Sequence, residues 1–120
     1  MGKILVVEDD KLITWSLREI ISQARHEMDV CDSIQEALAF LKEREYILAI
    51  VDLDIREMDV EAFRSGTPSD FWESRLVLIT SMTRNRFDEM FPTFRPLDVI
   101  EKPFQTETIR ALVKRTLELT

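Results

Sequence analysis

The chain has 120 residues, of which 45% are hydrophobic and 32% charged, with a formal net charge of −7 at pH 7. This length suits one domain with its own core, expected over residues 1–120, and the composition excludes a disordered chain. The acidic balance argues against nucleic-acid binding by this domain, and no apolar run approaches the ~20 residues of a membrane-spanning helix.

Short apolar runs alternate with helical patterns along the chain. The runs predict strands at 4–7, 28–31, 47–51, 76–80 and 98–101. Asp10 is expected to cap the first helix, and Ser33 with Glu36 forms a capping box at the second. The last helix, over 106–118, is expected to bury Ile109, Leu112, Val113 and Leu117. The alternation predicts an α/β fold with a doubly wound, five-stranded parallel sheet and helices on both faces.

The third and fourth helices are expected to be short or irregular. Gly66 and Pro68 interrupt the segment that should hold the third helix, and Pro92 and Pro96 shorten the segment of the fourth. Proline removes a backbone donor and obstructs a helix interior, so neither segment should form one long helix.

Polar side chains stand at the carboxyl ends of four predicted strands. Glu8 and Asp9 follow the first strand, Asp52 the third, Thr80 the fourth and Lys102 the last. Ligands of such sheets bind outside the carboxyl ends of the strands, so these five groups should meet at one edge. A buried carboxylate is costly unless it is paired or metal-bound. Asp52 therefore lies either at an exposed strand end or in a site built to hold it.

These residue types suit phosphoryl transfer. Neighbouring carboxylates repel one another, and Mg²⁺ relieves that repulsion while it leaves positions for phosphate oxygens. Asp52 would be the nucleophile, and Lys102 with Thr80 would balance the charge of the phosphoryl group. Taken singly, each residue also has a structural explanation, such as a helix cap or a surface lysine. Only their combination indicates a site.

Four motifs make the sequence resemble a response-regulator receiver domain of two-component signalling. They are 4-ILVVEDD-10, 50-IVDLDIREMD-59, 77-VLITS-81 and 101-EKPF-104. Their order and separation fit that family over essentially the whole chain. The resemblance implies a CheY-like, flavodoxin-like fold with strand order 2-1-3-4-5.

The resemblance also assigns roles to individual residues. Asp52 resembles the phosphoacceptor, Thr80 the hydroxyl that hydrogen-bonds the phosphoryl group, and Lys102 the lysine that pairs with it. A cis peptide bond is implied before Pro103. The implied ligands of Mg²⁺, or of Mn²⁺ in its place, are Glu8 through water, Asp9, Asp52 and the backbone carbonyl of Asp54.

The partners follow from the same resemblance. The phosphoryl donor would be a phosphohistidine on a histidine kinase or a histidine phosphotransfer protein. The domain would catalyse only its own phosphorylation and slow dephosphorylation, with no turnover of other substrates. A homodimer or an effector would use the face of the fourth helix, last strand and last helix. The lone Cys31 and the absence of a signal-peptide pattern favour the cytoplasm.

Several residues depart from the family's pattern. Arg56 stands where proline is common, and Val60 where glycine is usual, which predicts a different path for the loop after Asp52. The family's conformational switch pairs Thr80 with an aromatic residue, but Val99 occupies that second position. We therefore expect a damped or altered switch.

Near the fourth helix, Phe91, Phe94 and Leu97 either form a partner surface or fill core space under a loop, and the second interpretation is favoured.

Two other functions fit parts of the sequence. Asp52 and Asp54 match the D-x-D motif of haloacid-dehalogenase-like phosphatases, but in those enzymes the acidic pair follows the nucleophile, whereas Glu8 and Asp9 precede it. The main alternative is a degenerate receiver that acts as a phosphorylation-independent docking module. The altered switch position favours this alternative, and the intact acidic, threonine and lysine set argues against it.

Overall fold

The computed structural model describes residues 2–119 and contains one sheet of five parallel strands. The strand order is β2-β1-β3-β4-β5, so the predicted fold class and order are confirmed. The strands are β1 Lys3–Val7, β2 Glu27–Cys31, β3 Leu48–Asp52, β4 Leu76–Thr80 and β5 Asp98–Glu101.

Six helices connect and cover the strands. They are α1 Lys11–Gln23, α2 Ile34–Glu43, α3 Val60–Ser65, α4 Ser69–Arg75, α5 Arg84–Met90 and α6 Thr106–Leu119. The predicted break in the third helix is confirmed, because α3 ends at Ser65, just before Gly66, and α4 begins at Ser69, just after Pro68. The predicted fourth helix is α5, which is also short, with seven residues. Among residues 2–119, no helix has the length and hydropathy needed to cross a bilayer.

Alternate residues of each strand pack into two separate cores. In β3, Leu48 and Ile50 face α1 and α6, whereas Ala49 and Val51 face the side covered by α2, α3, α4 and α5. Strand side chains alternate with a period of two, so a run of apolar residues is buried on both faces of the sheet. All five residues of β3 are buried, including Asp52 at its end. The predicted burial of Leu117 concerns a side chain outside those described.

Short polar side chains begin the helices at the carboxyl edge of the sheet. Asp10 accepts hydrogen bonds from the amides of Leu12 and Ile13, as predicted. Ser33 caps α2 by accepting from the amide of Glu36, so the serine half of the predicted capping box is present. Such caps satisfy amides that the first helical turn leaves without partners.

The segment after α5 divides between core and surface. Phe94 is 2% exposed and packs edge-on against Trp72, with 5.1 Å between ring centroids, so the favoured interpretation is correct for this residue. The interpretation that these residues fill core space is wrong for Leu97, which is 38% exposed. The guanidinium of Arg64 lies 5.1 Å from the Phe94 ring centroid and 5.5 Å from that of Trp72. The Arg64 guanidinium therefore packs against both rings and covers the part of the core that lies beneath the loop.

Candidate functional site

Asp52 is 1% exposed and ends β3 at the carboxyl edge of the sheet. Its Oδ2 accepts from Lys102 Nζ at 2.6 Å, and its Oδ1 accepts from the amide of Asp54 at 2.7 Å. A buried carboxylate needs such partners to offset its lost hydration. Of the two alternatives left by the sequence, Asp52 therefore lies in a site that holds it.

The sheet itself sets the positions of these groups. Parallel pairing places Asp52 beside Ile79, and Thr80 beside Glu101. The ladder continues one residue past the strands, because Lys102 N donates to Thr80 O at 2.8 Å. The peptide bond between Lys102 and Pro103 is cis, as the family resemblance implies. The backbone thus fixes the two strand ends that carry the hydroxyl and the ammonium.

Glu8 is buried against the Asp52 carboxylate. Its side chain is 3% exposed, its Oε1 accepts from the amide of Asp10 at 3.0 Å, and its Oε2 has no hydrogen-bond partner. Burial, together with the neighbouring Asp52 carboxylate, raises the pKa of Glu8 to about 8. The two neighbouring carboxyl groups therefore do not ionise together as readily as separate ones, and Glu8 is the one whose charged form is disfavoured.

Lys102 and Asp52 stabilise each other's charged forms. Burial opposes ionisation of Asp52, but the adjacent Glu8 carboxyl group and hydrogen bonds from Lys102 and the Asp54 amide hold its pKa below the usual range. Burial likewise acts to lower the pKa of Lys102, but its hydrogen bond to Asp52 and the surrounding carboxylates raise it instead. Asp52 is therefore an anion at neutral pH, which is the form that a nucleophile requires.

Asp9 points toward the loop that follows β3. Its Oδ2 accepts from the amide of Arg56 at 3.2 Å, which joins the β1–α1 loop to the β3–α3 loop. Within that second loop, Glu57 has a φ of 59° and Val60 begins α3. The left-handed backbone conformation thus falls at Glu57, three residues before Val60.

The side chain of Asp54 makes contacts that the sequence did not reveal. Its Oδ1 accepts from Thr80 Oγ1 at 3.3 Å, and its Oδ2 accepts from the amide of Ser81 at 2.8 Å. Lys102 Nζ lies 3.4 Å from the same Oδ2. Only the backbone carbonyl of Asp54 was predicted to act. Its position two residues after Asp52, beside the end of β4, is the signal that could have found the side chain.

The oxygen-rich donor set fits Mg²⁺, although the side chains are not arranged around an ion. In the part of the chain that the structure describes, no three acidic, histidine or cysteine side chains are grouped closely enough to hold a metal. Lys102 pairs with Asp52, and Arg56 holds Asp9. However, Glu8 and Asp9 line one acidic cleft, and the buried Glu8 Oε2 has no hydrogen-bond partner. Hard oxygen ligands of this kind suit Mg²⁺, which retains water in its coordination shell.

Comparison with known proteins identifies the class of this chain. Residues 4–114 match the response regulator receiver domain family, and the chain belongs to that family. Members of the family are regulatory domains of two-component systems rather than metabolic enzymes, and they interact with histidine kinases and effectors.

Individual relatives agree with this assignment. The transcriptional regulatory protein PmrA of Pectobacterium parmentieri is 29% identical over 119 residues, which cover 94% of this chain and 53% of that protein. The chain spans about half the length of the curated relatives it matches.

Solved structures show the same fold. The receiver domain of a signal transduction histidine kinase from Syntrophus aciditrophicus is 27% identical, with a TM-score of 0.82 and coverage of 100% of this chain and 92% of that one. A sensor histidine kinase receiver domain from Pseudomonas aeruginosa has a magnesium ion coordinated in its active site cleft. It has a TM-score of 0.74, 14% identity and 98% coverage of each chain, and at that identity it shows the fold alone.

Proposed function

We propose that residues 1–120 form one phosphoacceptor receiver domain in which Asp52 takes a phosphoryl group from a phosphohistidine. The observation that carries this proposal is the 2.6 Å contact between Lys102 Nζ and a buried Asp52, at the edge where β1, β3, β4 and β5 end. An anionic nucleophile beside a cation, next to two further carboxyl groups, is the arrangement that phosphoryl transfer requires.

The transfer forms one bond and breaks one. An Asp52 oxygen attacks phosphorus, the phosphorus–nitrogen bond of the phosphohistidine breaks, and the imidazole leaves with the electron pair. Lys102 neutralises charge on the phosphoryl oxygens, and the hydroxyl of Thr80 donates a hydrogen bond to one of them. Glu8, Asp9, Asp52 and the carbonyl of Asp54 would hold Mg²⁺, which supplies positive charge to those oxygens. Mn²⁺, with similar ligand preferences, would substitute for it.

The partners are proposed from the family and from the surface. A histidine kinase or a histidine phosphotransfer protein would present the donor. An effector or a second copy would contact the face of α5, β5 and α6, where Leu97 is exposed. The curated relatives are transcriptional regulators of about twice this length, so control of transcription through a further domain is the proposed output.

The cytoplasm is the proposed location, and the free, buried thiol of Cys31 suits a reducing compartment.

Replacing Asp52 with asparagine is expected to abolish phosphorylation, because an amide oxygen does not form the acyl phosphate. The measurement is incorporation of label from radioactive acetyl phosphate with Mg²⁺, followed by loss of the label in base. The exposed residue Asp70 provides a matched control, because Asp70→Asn removes the same charge from α4, which leads into the amino end of β4, whereas Thr80 stands at the carboxyl end of that strand. Full labelling of Asp52→Asn, or labelling that survives removal of Mg²⁺ by a chelator, would contradict the proposal.

The alternative function is a degenerate receiver that docks to its partner without phosphorylation. Val99 favours it, because this residue of β5 pairs with Leu78 and fills part of the core with a small aliphatic side chain. The family's switch moves an aromatic ring at this position together with the residue equivalent to Thr80. In this chain no ring is present at that position to move.

We expect phosphorylation to cause only a small rearrangement near Val99. Amide chemical shifts and relaxation, measured with and without beryllofluoride and Mg²⁺, should change at Thr80 and Ser81 and change little along β5 and α5. The physical reason is that a ligand shifts the equilibrium between two conformations only to the extent that its contacts with the two differ. Large shifts throughout β5 and α5 would show that other residues carry a full-sized switch.

A further inference from the structure

The carboxylate of Asp54 binds donors from the ends of two neighbouring strands. Its side chain is 30% exposed and projects from the loop after β3. Oδ1 accepts from the Thr80 hydroxyl at 3.3 Å, and Oδ2 accepts from the Ser81 amide at 2.8 Å. The ammonium of Lys102 lies 3.4 Å from Oδ2 and also binds Asp52. An anionic group therefore already occupies the point on which a hydroxyl, an amide and an ammonium converge.

Two of these donors have a single hydrogen each. The hydroxyl hydrogen of Thr80 is directed to Asp54, while its oxygen accepts from the amide of Met82 at 3.1 Å and is thereby held in orientation. The amide hydrogen of Ser81 is also directed to Asp54. A donor with one hydrogen makes one strong bond at a time. A phosphoryl oxygen therefore gains either hydrogen only when Asp54 releases it.

The negative charges of Asp54 and of a phosphoryl group on Asp52 would also oppose each other. A phosphoryl group adds about −1.5 to −2 of charge at neutral pH. Placed on Asp52, it would lie beside the carboxylate of Asp54, in a site partly shielded from water, where like charges repel more strongly than in bulk. Lys102 has three hydrogens but one positive charge, which the two anions would share.

We propose that the Asp54 carboxylate is an internal competitor of the phosphoryl group. It occupies the donors of Thr80, Ser81 and Lys102 in the unphosphorylated chain, and it is displaced when Asp52 is phosphorylated. This inference rests on the proposed function. It assigns Asp54 a regulatory contact, in addition to the predicted metal-binding role of its backbone carbonyl, because the side chain lowers the affinity of the site for a phosphoryl group.

The contact itself is tested without metal or phosphoryl donor. In Asp54→Ala the Ser81 amide loses its acceptor, and its hydrogen exchange is expected to become about tenfold faster than in the unsubstituted chain. The amide of Leu78, within the β3–β4–β5 ladder, should keep its rate and so show that the fold is intact. Unchanged exchange at Ser81 would overturn the inference.

The competition is tested with beryllofluoride and Mg²⁺ as the phosphoryl mimic. Asp54→Asn keeps the side-chain shape and the backbone carbonyl but removes the charge, and it is expected to bind the mimic about tenfold more tightly than the unsubstituted chain. Asp70→Asn removes one negative charge from the exposed surface of α4 and should change the affinity much less, because α4 leads into the amino end of β4, opposite the end that carries Thr80.

Two failures are distinguishable. If the unsubstituted chain and Asp54→Asn bind beryllofluoride equally, or Asp54→Asn binds it more weakly, the competition is overturned while the phosphoacceptor function stands. If neither protein binds beryllofluoride, and acetyl phosphate labels neither, the phosphoacceptor function is overturned and the inference with it.

Discussion

Replacing Lys102 with alanine is expected to slow phosphorylation of Asp52 about 10²–10³-fold, the usual effect of removing one stabilising donor from a polar reaction centre. The Lys102 ammonium lies 2.6 Å from the nucleophile and is the cation that contacts both Asp52 and Asp54. Without it, charge that develops on the phosphoryl oxygens has only Mg²⁺ and neutral donors to balance it. The initial rate of labelling by acetyl phosphate, at saturating Mg²⁺, measures the effect.

A second lysine provides the control for that substitution. Lys42 lies in the last turn of α2 and is exposed, so Lys42→Ala makes the same change in net charge far from β4 and β5. Its labelling rate should stay within about twofold of the unsubstituted rate, because surface charges separated by more than ~8–10 Å are largely screened. Equal rates for Lys102→Ala and the unsubstituted chain would show that the lysine contributes nothing to transfer.

Replacing Phe63 with alanine is expected to lower the free energy of unfolding by about 3–5 kcal/mol, the range for removal of a buried aromatic ring. Phe63 is 2% exposed and is the buried residue of α3, which has six residues. A helix this short is held by packing rather than by its own hydrogen bonds. Urea unfolding followed by circular dichroism measures the loss, with the slope of the transition unchanged.

The comparison for Phe63→Ala is a large aromatic residue on the surface. Trp15 lies on α1 and is 60% exposed, so Trp15→Ala should change the free energy of unfolding by less than about 1 kcal/mol. A loss at Phe63 as small as that at Trp15 would mean that the core around α3 rearranges to fill the space. A loss larger at Trp15 would contradict the burial of the two side chains.

Most of the fold could be predicted because its signals are local. The strand bounds 76–80 and 98–101 agree with β4 and β5, since β4 is a short apolar run and β5 has two β-branched residues between Asp98 and Glu101. Gly66 and Pro68 indicated the break between α3 and α4. Proline restricts the backbone and glycine makes it more flexible, whatever the surrounding fold. Parallel pairing then brought Asp52 and Lys102 together from positions 50 residues apart.

The remainder depended on contacts between distant segments. The charged residue Arg64 stacks on Trp72 and Phe94, and nothing in the spacing of these three residues along the chain predicts that packing. The direction of the Asp54 side chain depends on the path of the loop after β3. That path includes a left-handed Glu57 and an amide of Arg56 bound to Asp9, which belongs to another loop. Such geometry is set by tertiary packing, which local propensity does not encode.

Backbone pairing past the ends of the strands restricts how this chain tolerates insertions. Because Lys102 N bonds to Thr80 O, one residue added within 98–101 would turn the lysine toward the opposite side of the sheet. The segment 66–68 lies outside the sheet and joins two short helices, so its length does not set the register of any strand, although Thr67 within it is buried and bonds to Phe63 and Trp72. Homologous chains should therefore keep a constant residue count in their strands and differ in length only in the connections between elements.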